Sequence, residues 1–416
     1  MTARSVHARA LAGARTLWRD LSVSAVVAGF IAVAVSYAGP MVVVLAAASA
    51  GGLSDAQTTS WVWAISIGSG TVSLVASAWT RTPIVAAWST PGAALLTTAL
   101  AEYGYPACVA AFVVSAVATL VVAATGWFGL VLEHVPAPVL SAVLAGILLS
   151  FGLDVFRSMR DDVLVPMLAL AAYLVTKRFS ARYAVIAASV AAVAAAVAAG
   201  QVHVPTGDWG AAHPMVTVPQ PTVPAIVGLA LPLFVVTMAA QNAPGLAVLR
   251  ASGYRVDDRK VLGCTGFASL ALAPFGAHAI NLAAITAAIC AGAQAHPDPR
   301  RRYIAGISCG VWYLVIGSAG AALLTMFSGL PEPLVLSVAG IALLGALLTG
   351  LTGAMECSRT REAALLALLV TASGVSLFGI GSAFWGLVLG VVADRALNRR
   401  DRSEDSDNST AARPSR

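Results

Sequence analysis

Two short polar interruptions sit inside stretches apolar enough to cross a membrane. They hold the residue types that could bind a small charged solute. The first is Trp88-Ser89-Thr90-Pro91-Gly92. A hydroxyl followed by proline signals a helix start, because the side chain caps and proline takes the first helical position. The spacing predicts extended backbone over 84–88 and a half-helix from Pro91 toward Leu100. Such a half-helix would turn free N–H groups and a positive dipole end toward an anion. The alternative is a simple proline kink whose hydroxyls bond to their own helix. The second interruption is Pro274-Phe275-Gly276-Ala277-His278, followed by Asn281. An ionisable group at membrane depth is a functional candidate, and histidine titrates near neutrality, so His278 is a candidate proton carrier. A neutral, hydrogen-bonded packing histidine is the competing reading. A third polar group, Gln241-Asn242 before Pro244, needs partners that are either substrate or neighbouring helices. Trp88 and Tyr37 could stack on an aromatic ligand or simply pack.

The elements that must position these residues follow from composition. The 416 residues are 58% hydrophobic and 11% charged, against about 25% charged in a soluble domain. The class is therefore an all-α polytopic membrane protein. In hydrocarbon every freed backbone group needs a partner, so irregular backbone survives only against protein or a watery cavity. A net charge of +6 lies in short loops and at the two ends, which sets orientation and gives little support for nucleic-acid binding. The five cysteines Cys108, Cys264, Cys290, Cys309 and Cys357 form no Cys-x-x-Cys pair, so neither a disulfide framework nor a zinc site is expected. No metal, cofactor, nucleotide-binding loop or catalytic constellation is expected, and the chain does not read as an enzyme.

Fourteen apolar segments can be drawn: 22–47, 60–79, 83–101, 106–125, 138–153, 163–176, 183–200, 224–249, 261–273, 274–292, 303–327, 334–353, 363–378 and 380–396. Several fall short of the roughly 20 residues of a full span, so twelve spans remain an alternative. Arg4, Arg9, Arg15 and Arg19 precede a first apolar run too long for a signal core. With fourteen crossings and an inside N-terminus, all of the 25 Lys and Arg residues except Arg157 and Arg160 fall inside. That asymmetry supports the alternation, with both termini cytoplasmic. Trp61, Trp63 and Trp79 are read as interfacial. The organisation is a cytoplasmic arm (1–21), a first repeat (22–200), an extracytoplasmic loop (201–223), a second repeat (224–396) and a disordered cytoplasmic tail (397–416). Tyr37-Ala38-Gly39-Pro40 faintly echoes Asn242-Ala243-Pro244, and each precedes one of the two breaks. Seven spans separate the copies, which predicts a 7+7 inverted repeat with segments 3 and 10 broken near the midplane, a recurrent transporter plan. Gly306/Gly310 and Gly386/Gly390 have the spacing of close helix packing.

Trp88-Ser-Thr-Pro-Gly-Ala-Ala-Leu95, Gln241-Asn-Ala-Pro-Gly-Leu246, Pro274-Phe-Gly-Ala-His-Ala-Ile-Asn281 and Gly374-Val-Ser-Leu-Phe-Gly-Ile-Gly381 resemble the benzoate/proton symporter family, the BenE-type permeases. The resemblance covers about 21–395. It implies proton-driven import of an aromatic carboxylate across a bacterial inner membrane, with protons and the lipid bilayer as partners and a homo-oligomer possible. More distantly, the family is similar to nucleobase/ascorbate transporters, which implies a core domain, a gate domain and a site between segments 3 and 10. Many of those relatives carry carboxylates in segments 8 and 10, where this chain has Gln241 and His278. The substrate-binding candidates are thus Tyr37, Trp88, Ser89, Thr90, Pro91, Gly92, Gln241, Asn242, Gly276, Ala277, His278 and Asn281. An anion moved inward opposes the membrane potential by roughly 2.3 kcal/mol per 100 mV, and one accompanying proton cancels that cost. Another organic anion, a nucleobase-like solute, or a channel are the alternatives.

Overall fold

In the computed structural model the described residues are 19–128, 136–203 and 209–397. The expected tail and most of the N-terminal arm lie outside them. Among these residues, sixteen helices and two short strands follow in order: α1 Val23–Ala38, α2 Pro40–Ala50, α3 Asp55–Thr80, β1 Ala86–Trp88, α4 Thr90–Tyr103, α5 Tyr105–Thr125, α6 Ala137–Arg157, α7 Leu164–Phe179 and α8 Ala184–Ala198. The second half holds α9 Val223–Ala251, then α10 Asp258–Leu272, β2 Ile280–Leu282, α11 Ile285–Ala291, α12 Tyr303–Ser318, α13 Gly320–Ser328, α14 Glu332–Met355, α15 Arg361–Ala372 and α16 Ser382–Leu397.

Local chemistry explains the breaks. Pro40 has no N–H to continue α1, and the chain turns at Gly39 before α2. The expected segment over 22–47 is thus one apolar stretch, Val23–Ala50, divided at Gly39 into two helices. A Cβ on Gly39 would lie 2.4 Å from the Ala342 Cβ, so the break also lets α14 approach. Along α9, π turns at Ile226–Ala230 and Met238–Asn242 each precede a proline, Pro232 and Pro244. Each proline removes one α-type bond, and the ladder shifts register around the gap. Among the described residues, six helical stretches are long and apolar enough to span, with Val23–Ala50 taken as one across its break, or seven if the pair bent by 71° at Ala319 counts as one. The remaining apolar segments are shorter or broken.

The helices sort into two clusters, each drawing on both halves of the chain. In one, α3 packs on α12, α12 on α1, α5 on α10 and α2 on α4. In the other, α6 packs on α14 and α15, α15 on α16 and α7 on α8. Close approach of α12 to α3 rests on Gly306 and Gly310, where a Cβ would lie 2.2 Å from Ser77 Oγ and 2.7 Å from Gly70 O. At the arginine-rich end, Asp20 lies 3.9 Å from Arg81 and 3.7 Å from Arg301, and accepts from Tyr303 Oη at 3.0 Å. The connection before α9 covers the opposite end, with backbone bonds from Ala212 to Ser318, Thr217 to Pro274 and Gln220 to Pro106.

Candidate functional site

The two interruptions meet. β1 and β2 pair antiparallel, with Ala86 opposite Leu282, Ala87 opposite Asn281 and Trp88 opposite Ile280. Because each strand runs into a half-helix, α4 and α11 leave the pair in opposite directions and their amino ends flank it. So short a ribbon is not stable alone, and its free edges need partners at membrane depth. Two serines supply them. Ser73 Oγ accepts from Ala86 N at 2.9 Å and donates to Ala86 O at 3.3 Å. Ser269 Oγ treats Ile280 the same way, at 2.8 and 3.2 Å. Each serine stands on the helix preceding its strand, α3 or α10. We expect Ser73→Ala and Ser269→Ala each to lower stability by about 1–3 kcal/mol, the cost of stranding buried backbone groups. Thermal unfolding in detergent reads this, and parental stability in either variant would mean that the strand has found another partner.

His278 ties the crossing to α3 and to the start of α4. Trp61 Nε1 can only donate, and it lies 3.0 Å from His278 Nδ1. The proton of the neutral ring therefore sits on Nε2, which donates to Ser89 O at 2.9 Å. Both ring nitrogens are committed, and the residue is 1% exposed. Trp61, expected at the interface, is instead fully buried, because its indole N–H has this acceptor inside.

The neighbouring candidates are also engaged in holding the crossing. In the orientation its neighbours require, the Asn281 carboxamide accepts from Ser89 N and donates to Leu282 O, both at 3.0 Å. Asn242 Oδ1 accepts from Leu282 N at 2.9 Å, tying α9 to β2. Ala277 N donates to Leu272 O at 3.1 Å. Gly276 has φ +107°, and a Cβ there would lie 2.5 Å from Tyr105 Oη and 3.0 Å from Trp61 Cα. Ser89 caps α4 by accepting from Gly92 N at 3.1 Å, and its carbonyl accepts from Ala93 N at 2.8 Å. Pro91 has no N–H to offer. The first turn of α4 thus has most of its expected free donors already spent. Gly92 lets α9 close in, since a Cβ would meet Leu233 Cδ1 at 2.7 Å. Tyr37 donates to Ser66 Oγ at 2.6 Å and sets its ring edge-on to Trp88, with centroids 5.5 Å apart.

What stays uncommitted is a shorter list. Among the described residues, neither the Thr90 hydroxyl nor the Gln241 carboxamide makes a hydrogen bond, and both residues are half-buried. Trp88 Nε1 is buried without a partner. At the other half-helix, α11 begins at Ala284 without a capping side chain, and the buried Thr286 hydroxyl in its first turn is also unpartnered. Sequence reasoning missed Thr286, the two clamping serines, Trp61 and Tyr313, whose ring lies 5.7 Å from that of Trp88. The serines had a signal, each being a polar residue in the apolar helix before a break. No group of residues suited to holding a metal occurs among the described residues.

A cavity of about 850 Å³ lies between the two helix clusters. Its walls include Leu45, Leu95, Ile147, Phe151, Phe327 and Leu336. Asp55, Asp154 and Glu332 also line it. None of the twelve predicted positions lines it; α4 presents Ala94, Leu95, Thr97 and Thr98, beginning one turn beyond Thr90.

Irregular backbone held inside a bundle of apolar helices, beside a solute-sized cavity between two helix clusters, marks a membrane transport protein rather than an enzyme. The fold agrees: the chain superposes on SLC26A9 with a TM-score of 0.59 at 12% identity, covering 95% of this chain and 69% of that one. The transmembrane domain of a cyanobacterial bicarbonate transporter, BicA, gives 0.55 at 14% identity, covering 90% and 96%. The chain belongs to the benzoate membrane transport protein family, whose model matches residues 19–396. It is 37% identical over 379 residues to the benzoate membrane transport protein of Acinetobacter baylyi, covering 91% of this chain and 96% of that protein. Over 371 residues it is 39% identical to the inner membrane protein YdcO of Escherichia coli, covering 89% and 95%.

Proposed function

We propose that this chain is a secondary active transporter that brings benzoate or a related aromatic carboxylate into a bacterial cell together with protons. The observation that carries the reading is the crossing of β1 and β2, which sets the amino ends of two half-helices on either side of one ladder. The family supplies the substrate class. The matching Ser73 and Ser269 clamps favour fourteen segments in two inverted sevens, because the same hydroxyl device recurs in segments 2 and 9. The charge distribution favours an inner-membrane orientation with both termini cytoplasmic, so that Asp55, Asp154 and Glu332 lie toward the outer side.

In this reading the substrate lodges beside the uncommitted groups. Thr90, Gln241 and Trp88 Nε1 address its polar end, with Thr286 on the opposing half-helix, while Tyr37 and Trp88 shape the aromatic side. Ser89, Pro91, Gly92, Asn242, Gly276, Ala277, His278 and Asn281 position the two half-helices. A hydrogen bond to an ionised or strongly polar partner contributes about 1.5–3 kcal/mol. Thr90→Val keeps the shape and removes the hydroxyl, so benzoate affinity should fall roughly tenfold to a hundredfold with little change in thermal stability. The measurement is equilibrium binding of labelled benzoate to purified protein, and equal affinity in parent and variant would place the hydroxyl away from the substrate.

A further inference from the structure

The cavity between the clusters is unusual for a protein that handles an anion. Its lining is drawn from α2, α3, α4, α6, α13, α14, α15, α16 and the turns after α2, α13 and α15. Among the described residues, no Lys, Arg or His lines it. Its charged lining groups are all carboxylates: Asp55 on α3, Asp154 on α6 and Glu332 on α14. The other lining segments contribute none. Asp154 is bonded to Arg157 at 3.0 Å, and that arginine does not line the cavity. The remaining polar lining consists of neutral hydroxyls, among them Ser49, Thr97, Thr98 and Ser150. At the strand crossing, which does not line the cavity, His278 has both ring nitrogens committed, and α4 has used the N–H groups of Gly92 and Ala93 on Ser89. Among the described residues, neither the cavity lining nor His278 offers an anion a cation. The carboxylates in its lining repel anions and raise the local proton concentration.

We propose that the species admitted through this cavity is the undissociated aromatic acid, so that the substrate's own carboxyl group carries the proton. The inference rests on the transport reading above. Its chemistry matches the lining: the acid O–H donates, the C=O accepts, hydroxyls answer both, and the ring lies against Leu95, Ile147 and Phe151. The proton balance closes without a titrating protein group. Outside, carboxylate and proton combine; the neutral acid moves; inside, the O–H bond ionises and the proton is released to water. One proton accompanies each acid, and no net charge crosses. With a carboxyl group ionising near pH 4, about one molecule in a thousand is neutral at pH 7. That thousandfold factor is about 4 kcal/mol at 1.36 kcal/mol per pH unit. A carboxylate leaving water for a site without a cationic partner bears a desolvation cost that the neutral acid does not.

The test is competition against labelled benzoate on the purified full-length protein, between pH 5.5 and 7.5. The competitors are benzamide, neutral throughout, and benzenesulfonate, anionic throughout. We expect benzoate affinity to fall about tenfold per pH unit. Benzamide should displace it with an intrinsic affinity that does not change with pH, and benzenesulfonate should fail. Displacement by benzenesulfonate, or none by benzamide, overturns the proposal while leaving the transport reading intact. Absence of saturable benzoate binding at every pH would take down both.

Discussion

Replacing His278 with leucine is expected to cost about 2–6 kcal/mol of stability, because Trp61 Nε1 and Ser89 O each lose a buried partner worth about 1–3 kcal/mol. Stabilities of whole proteins are only 5–15 kcal/mol, so much of the protein should fail to reach a folded state, read as lost monodisperse material and lowered thermal unfolding in detergent. His278→Gln is the informative partner. A carboxamide oxygen can accept from Trp61 and its NH2 can donate to Ser89 O, so this variant should recover most of the stability. Its benzoate binding should keep the parental pH profile. A flattened profile in the well-folded glutamine variant would return the proton to this ring.

Gly276→Ala is expected to be nearly as damaging. At φ +107° a side chain is strained, which costs on the order of 1–3 kcal/mol. The added Cβ would also lie 2.5 Å from Tyr105 Oη and 3.0 Å from the Trp61 backbone, and overpacking adds about 1–3 kcal/mol. The Tyr105 hydroxyl can move, but the backbone of α3 cannot without disturbing the Trp61–His278 bond. Thermal unfolding would measure the loss. Tyr105→Phe in the same background removes the nearer clash and should rescue only part of it. Full rescue would show that the backbone contact relaxes freely.

The breaks in segments 3 and 10 were legible because Ser-Thr-Pro-Gly and Pro-Phe-Gly are local signals. Proline and glycine act on the two or three residues beside them, and the observed strand and capped helix at Ser89–Thr90 lie where those residues put them. Partnership was not legible. That His278 faces Trp61 and Ser89, not solute, depends on a contact across 217 residues of chain. That Asn281 and Asn242 are spent on backbone follows from the strand register, which a three-residue strand does not announce. The cavity was hidden for another reason: its lining is scattered over eight helices and three turns, and most of it is ordinary apolar residues with no mark of their own. Hydrophobic pattern shows that a helix face is buried; it does not distinguish a face against protein from one against an empty space.

The laced strands have a mechanical consequence. The ladder, the two serine clamps and the His278 bridge bind the starts of α4 and α11 into one stiff hub. A load on either start is carried to the other through backbone bonds, with no compliant joint between them. Any rearrangement that displaces one of these starts must therefore displace the other with it, as one body, while the helices around them stay free to shift.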